Sequence, residues 1–135
     1  MSTANQSQLR EITARRICLV KPSALGDIVQ TMPLLPALRD RFPHAHISWV
    51  VNSEFTNLLE GHPCLDEIIP YYRHGPIKSW LRLLRTLRNH KFDLVFDLQG
   101  LLRSAVMTWS TRANLRVGLE TAREGAQAVF HLTLS

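Results

Sequence analysis

Two cysteines in 135 residues, Cys18 and Cys64, are too few for a disulfide framework, and no CxxC pair suggests zinc. No apolar run approaches the roughly 20 residues that span a bilayer. The opening MSTANQSQLREITAR lacks the apolar stretch of a secretory signal. With 6 glycines and 7 prolines the chain is neither low-complexity nor fibrous. Acidic side chains are in the minority, 11 against 16 Lys and Arg, for a net charge of +5. That excess invites an anionic partner (phosphate, nucleic acid or an acidic membrane surface) without selecting one. What is present suits one folded domain: 45% hydrophobic and 20% charged residues, in a chain able to bury roughly two thirds of its unfolded surface. The missing export and membrane signals favour the cytoplasm and leave docking on a membrane surface open.

Hydrophobic patterning gives the organisation. Residues 1–15 read as a flexible leader and 16–135 as one domain. Arg16 to Lys21 is a short, nearly continuous apolar run, as expected of a strand buried on both faces. A turn-rich loop, Pro22 to Asp27, follows, and a helical pattern starts near Ile28, with Asp27 as its N-cap and Gln30 completing a capping box. Pro33 and Pro36 predict a kink. His46 to Val51 is a second strand, Ser53 to Leu59 a short helix capped by Ser53, and Glu67 to Tyr72 a third strand. Pro70 marks that third strand as an edge or an exit. Ile77 to Asn89 is an amphipathic helix with Ile77, Trp80, Leu81, Leu84 and Leu87 on its apolar stripe. Asp93 to Leu98 is a fourth strand, Leu101 to Thr111 a helix, Leu115 to Leu119 a weaker strand, and Ala122 to Phe130 a last helix.

Strands alternating with helices imply right-handed crossovers and a parallel sheet covered on both faces, hence an α/β, Rossmann-like doubly wound fold. In such sheets ligands bind beyond the carboxyl ends of the strands. That rule points to the loops at 22–27, 52–54, 73–76 and 98–104, and to the segment after Leu119.

The first of these loops is neither a GxGxxG dinucleotide loop nor a GxxxxGK[ST] phosphate loop. It offers Ser23, the flexible Gly26 and the carboxylate of Asp27, which reads either as a general base beside a substrate hydroxyl or as a helix cap typically worth about 1 kcal/mol. On spacing alone the cap is favoured, and one carboxylate can do both. The second signal is Asp97 to Ser104, where Gly100 permits a sharp turn, Gln99 and Ser104 supply hydrogen-bonding groups, and Arg103 can clamp an oxyanion bidentately. An ordinary turn with Asp97 capping accounts for it equally well. Third, Arg123 lies after the last strand, where it either holds an anion or forms an exposed pair with Glu124.

Between Arg73 and Lys91 stand six basic residues and no acidic one, with Lys78, Arg82 and Arg85 on one helix flank. Such a run is usually a solvated face, but the lack of balancing carboxylates favours contact with acidic lipid. Nucleic acid is disfavoured, because no recognition motif accompanies the charge. His44-Ala-His46 and His62-Pro-Cys64 lack a third ligand, so no metal site is expected. A phosphoreceiver domain is disfavoured as well, since Lys21 and Pro22 stand where its acidic pair belongs.

RICLVKPSALGDIVQTMPLLPALRDRFP, HISWVVNSEF, FDLVFDLQGLLRSA and RVGLETAREG together resemble, in order and spacing, the N-terminal half of glycosyltransferase family 9, the bacterial heptosyltransferases. The resemblance implies a GT-B enzyme with two Rossmann-like halves. In this reading residues 16–135 are the acceptor-binding N-terminal domain, and the donor-binding C-terminal domain lies outside the sequence, so the piece alone is expected to be inactive. The implied reaction is inverting, metal-independent transfer of heptose from ADP-heptose to the lipopolysaccharide inner core, with no cofactor. The implied catalytic base is Asp27, with Ser23, Gly26, Gln99, Arg103 and Arg123 on the acceptor side. Arg103 stands where the family often has Lys, which keeps the charge but changes the geometry, and Gly125 replaces the family's usual proline. The expected location, from the missing signals and the charge run, is the cytoplasm, with peripheral attachment to the inner face of the cytoplasmic membrane through Lys78, Arg82 and Arg85. The competing reading is a non-catalytic, stand-alone α/β module that binds an anionic glycolipid.

Overall fold

The structure, a computed structural model, describes Ser2–Thr3 and residues 13–118. Its strands are β1 (Ser2–Thr3), β2 (Arg16–Val20), β3 (His46–Asn52), β4 (Glu67–Tyr71), β5 (Leu94–Asp97) and β6 (Leu115–Val117). Its helices are α1 (Leu25–Thr31), α2 (Leu34–Arg41), α3 (Ile77–Asn89) and α4 (Leu102–Ser110), with a 3-10 helix at Ser53–Leu58. The strands form one sheet in the order β1-β6-β5-β2-β3-β4, and every described pairing is parallel. Central β2 pairs with β3 from Arg16 opposite His46 and with β5 from Ile17 opposite Leu94.

Alternation along the central strands divides the core in two. Ile17, Leu19, Ile47, Trp49 and Val51 face Ile28, Leu35 and Leu38 of the α1–α2 layer. Cys18, Val20, Val50 and Val95 face Leu83 and Leu87 of α3 and Met107 of α4. All four residues from Ile17 to Val20 are fully buried, which is why the run carries no polar side chain; each large one contributes about 1.5–3 kcal/mol by burial. The same burial pushes the Cys18 thiol well above its ordinary range, helped by the charge of Glu67, so this cysteine is an inert core residue.

The proline kink is a full break: α1 ends at Thr31, and α2 starts after Pro33. Pro70 does lie on the edge strand β4. Other expectations need correction. Helix α1 begins at Leu25, because extended Ala24 is the N-cap and its carbonyl accepts the first helical bond from the Ile28 N–H at 2.8 Å. Asp27 therefore sits inside the first turn, and neither it nor Gln30 makes a cap hydrogen bond. Asn52, not Ser53, caps the 3-10 helix, its Oδ1 accepting from the Glu54 N–H at 3.2 Å. The buried stripe of α3 is Leu83 and Leu87, with Trp80 and Leu84 packed against it, while Ile77 and Leu81 are 68% and 57% exposed. Within the expected leader, Ser2–Thr3 pairs with β6 as the edge strand β1, and buried Ala14 joins the first core. Edge pairing uses main-chain groups alone, so the polar composition of the leader gave no sign of it. Leu119, Arg123 and the expected helix at 122–130 lie outside the described residues. No helix among the described residues is long and apolar enough to cross a membrane.

Candidate active site

Chain order reverses at β2: the chain leaves toward β3 on one side and later returns as β5 on the other. Such a switch point opens a crevice between the two loops that diverge there. Those loops are the ones carrying Ser23 and Gln99, and across 76 residues of sequence Gln99 Nε2 donates to Ser23 Oγ at 3.1 Å. Gln99 Oε1 is buried without a hydrogen-bond partner.

Above this pair lies a cavity of about 640 Å³ at the carboxyl ends of β2, β3, β4 and β5. Its floor is Pro22, Ser23, Asn52 and Gln99; its walls include Tyr71, Arg73, His74, Leu101, Leu102 and Arg103. Among the described residues no carboxylate lines it, and Arg73 and Arg103 make that lining cationic. The Arg103 guanidinium donates through Nη1 to the Tyr71 hydroxyl, linking the two sides of the cleft. Gln99 is aimed by its turn: Asp97 Oδ1 accepts from the N–H groups of Gln99 at 3.2 Å and Gly100 at 3.1 Å, and Gly100 adopts φ +70°. The ordinary-turn reading of Asp97 thus holds, and the turn is what presents Gln99. Ser104 is committed elsewhere: buried, it accepts from the Leu101 N–H at 3.0 Å and closes the start of α4.

Asp27 stands on the neighbouring first turn of α1, outside the cavity lining. Its side chain is 60% exposed, and Lys21 Nζ lies 3.9 Å from Oδ2. Lys21, nearly buried at the end of β2, is held by its backbone, whose N–H donates to the Val50 carbonyl and whose carbonyl accepts from Trp49 Nε1 at 3.0 Å. Gly26 lies in the same turn, and a side chain there would meet nothing within 4 Å.

The structure therefore brings Ser23, Gln99 and Arg103 into one cleft, with Gly26 and Asp27 on its neighbouring turn. Lys78, Arg82 and Arg85 are separate from it, exposed along α3; Arg82 lines a smaller hollow of about 210 Å³ between α3 and β4. Arg123 lies outside the described residues. Tyr71, Asn52 and His74 were not singled out from sequence, and Arg73 only as part of a charge run. The sheet rule points to loops 52–54 and 73–76, whereas Tyr71 falls inside the expected third strand. Among the described residues no group of three His, Cys, Asp or Glu side chains could hold a metal ion.

Residues 80–133 match the model of glycosyltransferase family 9 (heptosyltransferase). The chain is 32% identical over 130 residues to lipopolysaccharide heptosyltransferase 1 of Pseudomonas aeruginosa, covering 86% of this chain and 36% of that protein. Against lipopolysaccharide heptosyltransferase 1 of Escherichia coli identity is 28% over 127 residues, covering 86% and 40%. Among solved structures, a family 9 glycosyltransferase of Veillonella parvula superposes with a TM-score of 0.71 at 29% identity, over 80% of this chain and 32% of that one. The E. coli heptosyltransferase WaaC with ADP gives 0.64 at 28%, over 76% and 35%. The chain thus spans well under half the length of these relatives.

Proposed function

We propose that this chain, which belongs to glycosyltransferase family 9, the heptosyltransferases, is the acceptor-binding half of an enzyme that moves heptose from ADP-heptose to the lipopolysaccharide inner core. The observation that carries the reading is the cleft at the switch point, cationic and without a carboxylate among its described lining residues, with Ser23, Gln99 and Arg103 drawn into it from distant segments. The acceptor saccharide lies there, its oxyanions toward Arg103 and Arg73.

Asp27 takes the proton of the attacking hydroxyl as that oxygen bonds to the anomeric carbon. The bond from that carbon to the diphosphate breaks on the opposite face, and ADP leaves with the electron pair, so configuration inverts. A positioned base of this kind contributes about 10²–10⁴-fold. No step uses a metal. Arg123, the TARE arginine, supplies a further cation on the acceptor side, and the donor is held by the remainder of the protein.

The acceptor is lipid-anchored, which gives the α3 surface a role. Lys78, Arg82 and Arg85 meet acidic headgroups at the cytoplasmic face of the membrane, while exposed Ile77 and Leu81 enter the interface beside them. The test is transfer by the full-length gene product, with ADP-heptose as donor and heptose-free inner-core lipopolysaccharide as acceptor. Turnover supports the enzyme; acceptor binding with no turnover would favour the non-catalytic glycolipid-binding module.

A further inference from the structure

We infer that Tyr71 is a positioning residue for acceptor binding: its hydroxyl holds the Arg103 guanidinium across the mouth of the cleft, ready for an oxyanion of the acceptor. This rests on the acceptor reading above and adds to it a device that sets affinity.

Tyr71 ends β4, and Arg103 lies in the first turn of α4, after β5. Two strands, β3 and β2, separate β4 from β5 in the sheet, so the Arg103–Tyr71 hydrogen bond spans the opening. One partner is a fixed post. Tyr71 is 7% exposed, belongs to the α3–α4 core, and meets the Trp80 ring edge-on at 5.9 Å and 65°. The other partner is an exposed, long side chain that is free to wander if untethered. Freezing such a chain opposes binding, and freezing it during folding removes that penalty from the binding step.

Arginine suits this arrangement better than lysine. A guanidinium carries five N–H donors in a rigid fork, so Nη1 can remain on Tyr71 while other donors face a carboxylate or phosphate. Among the described lining residues no carboxylate competes for it. The ligand chemistry is therefore an oxyanion-bearing saccharide, with a carboxylate or a phosphate as the two possible sources.

The experiment is a double-mutant cycle on the full-length protein, Tyr71→Phe with Arg103→Lys, read by calorimetric binding of deacylated inner-core lipopolysaccharide and by acceptor KM. Phenylalanine keeps the ring against Trp80, so the fold is retained, and unchanged melting checks it. Tyr71→Phe is expected to weaken acceptor binding about fivefold to tenfold, with the loss in KM rather than kcat, in line with one charge-assisted hydrogen bond. Arg103→Lys is expected to cost at least as much, and the double variant little more than the larger single effect. Repeating the cycle with dephosphorylated acceptor separates the sources: persistent coupling assigns a carboxylate, lost coupling a phosphate. Multiplicative single effects, or unchanged acceptor binding in Tyr71→Phe, would overturn the inference. Because the cycle is read on binding, it stands apart from the assignment of Asp27; a wild-type protein that bound no acceptor would defeat this inference and the acceptor reading together.

Discussion

Lys21 Nζ lies 3.9 Å from Asp27 Oδ2, a nearly buried ammonium beside a carboxylate that is three-fifths exposed. The lysine backbone is pinned at both its N–H and its carbonyl, and its side chain is only 11% exposed. This pairing places a positive charge beside the carboxylate.

Lys21→Met should therefore lower kcat by roughly tenfold, about 1.4 kcal/mol, while acceptor KM changes little. Methionine fills a similar volume, and the carboxylate left behind is 60% exposed and stays solvated, so no buried charge is orphaned and melting should hold within a few degrees. Steady-state kinetics and a thermal melt check both. A wild-type kcat would show that the ion pair plays no part in transfer.

The fold has its own electrostatic fastening, at Asp66. Burial alone would raise this carboxyl, but hydrogen bonds from the Ile47 N–H at 2.8 Å and from Arg39 at 2.6 Å outweigh it and hold it below its ordinary value. A depressed folded value means a contribution that is fully present above the ordinary value of 3.8 and lost as pH falls through the folded one. Asp66→Asn should cost roughly 1 kcal/mol at pH 7, allowing for solvent screening of a partly exposed pair. The difference from wild type should shrink as pH falls below 3.8 and the carboxylate is protonated. Urea denaturation at pH 7 and pH 3 reads it; an equal difference at both would contradict the assignment.

Arg39 shows what sequence hides. It reads as the polar end of a helix, yet it also donates to the Ala45 carbonyl at 2.6 Å and the Cys64 carbonyl at 3.2 Å, joining α2 to the starts of β3 and β4. Only the fold brings those carbonyls together. The strands were legible because residues such as Ile17 to Val20 are buried on both faces and exclude polar side chains. The start of α1 was not legible, because Ala24 caps with its backbone and the nearby Asp27 mimics a cap in the pattern. The cleft was half legible. Ser23, Gln99 and Arg103 sit in segments that the sheet rule indicates, whereas Tyr71 becomes a site residue only through a partner 32 positions away.

The basic flank of α3 makes a prediction for lipid binding. Each cation near an acidic surface contributes about 1 kcal/mol, so converting Lys78, Arg82 and Arg85 together to Gln should weaken binding to anionic vesicles on the order of a hundredfold. Raised salt should weaken the wild type in the same direction. Co-sedimentation with anionic and neutral vesicles measures it, and equal wild-type binding to both would remove the acidic-lipid contact.

Asp27 carries the central claim, and its geometry makes a clean test possible. The side chain makes no cap hydrogen bond, so Asp27→Asn should leave melting and acceptor binding unchanged in the full-length protein. Heptose transfer from ADP-heptose should fall by about 10²–10⁴-fold, the share of a lost general base. Transfer at near wild-type rates in that variant would contradict the account.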